Sequence, residues 1–235
     1  RFSGRLTAAY VMAGAIAKRV LNKKGIEVLA HVTQIDSIKS LKAPSVNEIR
    51  LNVYANPMRC ATRDVAQLME KAVRAARDEG DSVGGVVEGM ILNVPPGIGQ
   101  PVFGALDADL AQALFNIPAV KGVEFGTGFE AAGLKGSQNN DAYTIKTGQV
   151  STTTNNAGGI LGGLSTGMPI IFRVAFKPTP SIAKPQRTVN LKEGINMEIE
   201  VKGRHDACIV PRAVPVVESM AAITLADHLL AVGFR

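Results

Sequence analysis

The densest chemistry in the chain lies at Gly203-Arg204-His205-Asp206-Ala207-Cys208-Ile209-Val210-Pro211-Arg212, where two arginines, a histidine and an aspartate stand close together. Guanidinium groups hold carboxylates and phosphates through charge-assisted hydrogen bonds, and a neighbouring carboxylate can take up a proton. In an extended segment Arg204 and Asp206 point to one face and His205 to the other, because side chains alternate along a strand. An anion holder would then stand beside a candidate base. The alternative is a structural ion pair at a strand end.

Two other stretches share this character. Arg1-Phe2-Ser3-Gly4-Arg5 carries two cations and a hydroxyl, and Lys177-Pro178-Thr179-Pro180-Ser181 carries a cation and two hydroxyls on a proline-stiffened loop. A plain rigid turn would explain the second equally well. Residues 133–169 are rich in Gly, Ser, Thr and Asn, with Asn155-Asn156-Ala157-Gly158-Gly159-Ile160-Leu161-Gly162-Gly163-Leu164-Ser165-Thr166-Gly167 at their centre. Long irregular segments in compact domains are usually functional or disordered. The embedded Ile160, Leu161 and Leu164 argue against disorder, and the glycines would let backbone amides approach a ligand.

The sequence lacks the patterns of several common sites. No Gly-Lys-Ser/Thr follows the glycines, so they form no P-loop, and no Gly-x-Gly-x-x-Gly is in register for a dinucleotide. Neither a serine-hydrolase elbow, a His-x-x-x-His, a Cys-x-x-Cys nor a carboxylate cluster for a metal is present. The net charge of +6 is dispersed, Trp is absent and aromatics make up 5%. Small-anion pockets therefore fit better than a nucleic-acid surface. No apolar run approaches a membrane span. Cys60 and Cys208 read as reduced thiols of a cytosolic-type protein. From residues alone, the reading is an anion-binding pocket in an enzyme of open chemistry.

The elements that must position these residues follow from periodicity. Residues 6–21 predict a helix with Leu6, Tyr10, Ala13, Ala17 and Val20 or Leu21 on its buried face. Gly14 inside it suggests close packing against another element. A strand fits residues 26 to 35 or 38, with His31 as a structural residue, and a loop with a short helix spans 40–61. Thr62 caps a helix reaching residue 79, with a buried stripe of Val65, Leu68, Met69, Ala72, Val73 and Ala76. The turn Gly80-Asp81-Ser82-Val83-Gly84-Gly85 feeds a strand at 86–94. A helix at 106–115, strands at 120–125, 169–176 and 196–201, and a helix at 214–231 with Pro215 in its first turn complete the reading. One domain over residues 1–235 of α+β class, a layered β-α-β sandwich, is expected.

These motifs occur together in one family. Arg1-Phe2-Ser3-Gly4-Arg5-Leu6-Thr7 is set against a family pattern of Gly-Arg-Ser-Ser-Ala-Arg-Glu-Thr. The turn at residues 80–85 follows, then Val120-Lys121-Gly122-Val123-Glu124 and Gly136-Ser137-Gln138-Asn139-Asn140-Asp141. Asn156-Ala157-Gly158-Gly159-Ile160-Leu161-Gly162-Gly163, Lys177-Pro178-Thr179 and Gly203-Arg204-His205-Asp206 complete the series. In this order, over nearly the whole chain, the sequence resembles the chorismate synthases.

The resemblance implies a lyase of the shikimate pathway that forms chorismate from 5-enolpyruvylshikimate 3-phosphate by 1,4-anti elimination of phosphate, dependent on reduced FMN. It implies flavin contacts at Arg1, Phe2, Ser3, Pro118, Ala119, Gly162, Lys177, Pro178, Thr179, Pro180, Ser181 and Arg204. Substrate contacts would fall at Ser3, Gly4, Arg5 and Arg204, with Asp206 relaying a proton near the flavin N5 and His205 structural. It further implies a cytoplasmic homotetramer, an association with NADP, electrons from the protein itself or from a separate flavin reductase, and no metal, nucleic acid or membrane. Phe2, Gly4 and Leu6 depart from the commonest family residues, while Ser3, Arg5 and Thr7 match.

Two histidines that serve the family as acids belong to motifs preceding the Arg1 segment, and His31, His205 and His228 match neither. The chain opens in what reads as the middle of an active loop, so it is expected to be an N-terminally truncated piece of low activity. Another FMN- or phosphate-binding protein on this scaffold, an inactive remnant and a basic nucleic-acid-binding module are the rival readings.

Overall fold

Ser3 starts the fold by capping a 3-10 turn, Gly4–Leu6, its hydroxyl accepting from the Arg5 N–H at 3.2 Å. The chain is known here from a computed structural model that describes residues 3–146, 148–203 and 205–233. The turn enters helix α1 (Thr7–Asn22), after which come strands β1 (Glu27–Ile35) and β2 (Ile38–Lys39) and helices α2 (Val46–Asn52) and α3 (Arg63–Asp78). Strand β3 (Gly85–Leu92), helix α4 (Leu106–Phe115) and strand β4 (Val120–Phe125) follow, then the single-turn α5 (Gly136–Asn139). Strands β5 (Tyr143–Lys146), β6 (Gln149–Thr152), β7 (Ile160–Leu161), β8 (Leu164–Ser165), β9 (Ile170–Phe176), β10 (Gln186–Asn190) and β11 (Ile195–Ile199) lead to helix α6 (Val210–Ala231).

The class is α+β, as expected. One sheet runs in the order β2-β1-β3-β9-β4, and three hairpins pair β5 with β6, β7 with β8 and β10 with β11. The chain divides into two compact units. The first holds the described residues up to His31, Val87–Ala175 and the described residues from Ala213; the second holds Val32–Val86 and Phe176–Arg212.

In the first unit the core is built from Leu21, Ile91, Leu106, Leu110, Leu114, Phe172, Val217 and Leu225, all buried. Phe172 fills the space left by Gly89, where a Cβ would stand 2.1 Å from the ring. Helix α1 crosses α6 at Gly14, where a Cβ would fall 2.2 Å from that of Ser219. Nearby, the buried Glu218 carboxylate accepts from Lys18 Nζ at 2.6 Å and from the Ala30 N–H at 3.1 Å. A buried carboxylate is tolerated only when paired in this way. His31 is buried beside Glu88 at 3.3 Å, a structural strand pair. In the second unit Val32, Ile35, Ile49, Val53, Cys60, Met69 and Phe176 are buried, with α3 packed beside β2.

Several local expectations are corrected. The buried face of α1 is Gly14, Ala17 and Leu21, whereas Leu6 and Val20 are exposed. The face is set by the close approach that Gly14 allows, not by the largest side chains. In α3 the buried residues are Ala66, Met69 and Ala76, and Leu68 is exposed. Thr62 takes the N-cap position but makes no cap hydrogen bond, since its hydroxyl pairs with that of Ser40 at 3.3 Å. Residues 133–169 are not one irregular segment: they contain α5 and two hairpins. Pro215 lies inside α6 rather than in its first turn, because the helix starts at Val210. Contrary to the sequence reading of hydropathy, α6 is long and apolar enough to cross a membrane, but 67% of its most apolar window is buried within the protein. It is a core helix.

Candidate functional site

In the second unit two segments far from it in sequence, residues 179–184 and the stretch at Ala207, meet at the turn formed by residues 80–85. The Ser82 hydroxyl donates to the Thr179 carbonyl at 2.7 Å, and the Val83 N–H donates to the Ala207 carbonyl at 2.8 Å. The Ala183 N–H donates to the Gly80 carbonyl at 3.0 Å, and Lys184 Nζ pairs with Asp81 at 2.8 Å. The hydrogen bond from Lys184, helped by the Ser82 N–H, holds the Asp81 carboxyl below the usual carboxylate range. The same hydrogen bond raises Lys184 above the usual lysine range. The proline-stiffened loop and the segment containing Asp206 are thereby tied to one short stretch of backbone.

Within that loop Lys177, Thr179 and Ser181 are half-buried and Pro178 and Pro180 are exposed. Thr179 Oγ1 is buried and has no hydrogen-bond partner. A buried hydroxyl left this way costs about 1–3 kcal/mol, and a bound oxygen would remove that cost. The loop therefore carries a cation and, beneath its surface, an unused donor, a pair of groups that suits an anion.

Asp206 is exposed and takes the Arg212 guanidinium at 2.8 Å. Arg212 stands in the first turn of α6, where a cation opposes the helix dipole by about 0.3–1 kcal/mol. An exposed ion pair returns about the same, so the pairing adds little net stability. His205 turns instead to the Val201 carbonyl at 2.7 Å, a structural contact. Beyond it, burial pushes the Cys208 thiol up to about 11, with the Asp206 charge adding and the Val210 N–H opposing. Arg204 lies outside the described residues.

The first unit carries the remaining expected residues. Ser3 and Gly4 form the turn into α1, with Thr7 Oγ1 donating to the Gly4 carbonyl at 2.7 Å, and Arg5 is exposed. Arg1 and Phe2 lie outside the described residues. Pro118 and Ala119 sit in a turn closed by the Val120 N–H to the Ile117 carbonyl at 3.3 Å. Ala119 has φ of 73°, a conformation that glycine normally supplies at the third position of a type II turn. An alanine held there costs on the order of 1–2 kcal/mol, and such strain gathers at functional positions. Gly162 and Gly163 form the two-residue turn of the β7–β8 hairpin with φ of 57° and 80°, which is why glycines are needed. Ser165 fixes that hairpin, donating to the Pro95 carbonyl at 2.6 Å and accepting from the Ile98 N–H at 2.9 Å.

Asp141 clamps the neighbouring Asn-rich turn by accepting from the Asn156 and Ala157 N–H groups and the Thr154 hydroxyl. Burial works to raise its carboxyl, but these donors prevail and hold it below the usual range. Among the described residues no three His, Cys, Asp or Glu side chains gather as a metal site would require. Arg212 and Ser82 lay inside motifs read from the sequence, yet nothing in their spacing assigned them partners. The strain at Ala119 had no sequence signal beyond a proline before it.

Comparison with known proteins places these features in context. A sequence model of the family described as chorismate synthase matches residues 1–230. A curated relative from Korarchaeum cryptofilum (strain OPF8), named chorismate synthase, is 53% identical over 230 residues, covering 98% of this chain and 63% of the relative. Another with the same name, from Methanosarcina barkeri (strain Fusaro / DSM 804), is 53% identical over 234 residues, covering 100% and 64%. The chain thus spans slightly under two-thirds of the length of these relatives. A crystal structure of a chorismate synthase superposes with a TM-score of 0.81 at 34% identity, over 97% of this chain and 64% of that one.

Proposed function

The chain belongs to the chorismate synthase family, and from that premise we propose that its protein is the lyase that converts 5-enolpyruvylshikimate 3-phosphate to chorismate and phosphate with reduced FMN. The observation that carries the cofactor reading is the buried, unpartnered Thr179 hydroxyl beside Lys177. These residues fit the flavin: they offer a donor and a cation to an anionic, oxygen-rich group. By the family resemblance, further flavin contacts would come from Ser3, Pro118, Ala119 and Gly162 of the first unit and from Pro178, Pro180 and Ser181 of the second, and Arg1, Phe2 and Arg204 would add to them.

The reaction breaks the C–O bond to phosphate and a ring C–H bond: the C–H electron pair forms one new double bond, the existing ring double bond shifts by one position towards the carbon that bears phosphate, and phosphate leaves with the C–O pair. Reduced FMN, when bound, supplies electron density to the breaking C–O bond. Arg5 and Arg204 hold the substrate's carboxylate and phosphate groups and stabilise the charge that grows on the leaving group. Asp206, oriented by Arg212, relays the ring proton. The working protein is a cytoplasmic homotetramer, supplied with electrons through NADP or by a separate flavin reductase.

The deciding assay incubates the full-length protein with reduced FMN and the enolpyruvyl substrate and follows chorismate absorbance and phosphate release together. Stoichiometric formation of both is expected, with Thr179→Val weakening FMN binding about 10-fold, as one charge-assisted hydrogen bond is worth. FMN binding without chorismate would favour a different flavin protein on this scaffold. Neither binding nor turnover would leave an inactive protein and refute the proposal.

A further inference from the structure

The turn at residues 80–85 is bonded both to the loop that carries Thr179 and to the segment that carries Asp206. We propose that Ser82 is a positioning residue that sets the flavin loop and the proton-relay segment relative to one another, an inference resting on the flavin reading above. Its hydroxyl holds the carbonyl of Thr179, the residue whose own buried hydroxyl lacks a partner. The next peptide, through the Val83 N–H, holds the carbonyl of Ala207, directly after Asp206. Two consecutive residues thus fix the loop donor and the carboxylate from a common backbone, although 97 residues separate Ser82 from Thr179.

The turn is itself braced. Asp81 accepts from the Ser82 N–H at 2.8 Å and pairs with Lys184 at 2.8 Å on the far side of the loop. At Gly84 a Cβ would stand 2.3 Å from the Phe176 carbonyl oxygen, so the loop's entry lies directly on the turn. A loop held at its entry, middle and exit keeps its donors aimed, and a misplacement of about 1 Å at such a site can cost 100-fold in turnover. A hydrogen bond from a half-buried serine contributes too little to decide whether a domain folds. Its loss must therefore register in loop geometry.

Ser82→Ala and Ser82→Thr in the full-length protein test this, with FMN binding followed by flavin fluorescence, turnover by chorismate absorbance and folding by thermal unfolding. Ser82→Ala is expected to weaken FMN binding about 5-fold and lower kcat 10- to 100-fold with KM for the substrate little changed. The melting temperature should stay within a few degrees of the parent, and Ser82→Thr, which keeps the hydroxyl, should recover most of both activities. Lys184→Met, which loosens the exit without touching Ser82, should shift FMN binding in the same direction by less. If Thr179→Val weakens FMN binding and Ser82→Ala leaves binding and kcat intact, the positioning role is wrong and the flavin reading stands. If Thr179→Val also has no effect, the flavin reading falls and this inference with it. A Ser82→Ala protein that only melts earlier, with unchanged kcat and FMN affinity, marks Ser82 as a fold residue and overturns the proposal.

Discussion

Replacing Gly14 by alanine sets two well-known effects against each other. In an isolated helix the change stabilises by about 1 kcal/mol, because glycine loses more backbone entropy than any other residue. Here the new Cβ would sit 2.2 Å from Ser219 Cβ, 2.4 Å from its Oγ and 2.6 Å from its Cα. Non-bonded carbons rest at about 3.5–4.0 Å, so α1 and α6 must part by roughly 1 Å or more. Rotation of Ser219 cannot relieve this, since its backbone is struck as well as its side chain. Separating two packed helices of a core forfeits packing along both, and overpacking costs typically run at about 1–3 kcal/mol. Taking the upper part of that range and subtracting the propensity gain leaves Gly14→Ala destabilised by about 2 kcal/mol. Urea unfolding followed by circular dichroism measures it, and the midpoint should fall with no change of slope. Gly14→Ala combined with Ser219→Gly should recover part of the loss, because the clash with the serine side chain is removed while the clash with its backbone remains. Equal or greater stability for Gly14→Ala would show that the helices do not touch at this point and refute the argument.

Other consequences can be checked separately. Lys18→Met should cost on the order of 3 kcal/mol in urea unfolding, since it removes the Lys18 ammonium from the buried Glu218 carboxylate. Ser165→Ala leaves the Ile98 N–H and the Pro95 carbonyl without their partner and should cost about 2 kcal/mol. The Asp141 carboxyl is held below its unfolded value, so its contribution is full above the unfolded pKa and lost as pH falls through the folded one. Melting temperature against pH should therefore fall below about pH 4, and Asp141→Asn should flatten that fall while lowering stability at neutral pH. With its thiol pushed up to about 11, Cys208 has only about one molecule in a thousand as thiolate at pH 8. It should react with a thiol reagent about 100-fold more slowly than an unfolded control; equal rates would exclude the burial described.

Local spacing was enough to establish the existence and type of most elements. Periodicity located α1, α3, α4 and strands β1, β3, β4 and β9 to within two residues, because amphipathic spacing and glycine or proline stops are local properties. It also marked the motifs that carry the family resemblance, and it picked Gly14 as a point of close packing. What it could not supply were partners. The hairpins inside residues 133–169 and the β10 partner of β11 depend on pairing across a turn, which weakly patterned polar segments do not announce. The buried face of α1 and the exposure of Leu68 depended on which surface a distant helix or strand offered. The same holds at the candidate site. Lys177, Thr179 and Asp206 could be named from their motifs, but the unpartnered hydroxyl at Thr179, the Arg212 pair and the turn around Ser82 arise where segments many residues apart come together. Residue order along the chain encodes conformation; the packing of distant segments selects which polar groups are satisfied and which are left to bind something else.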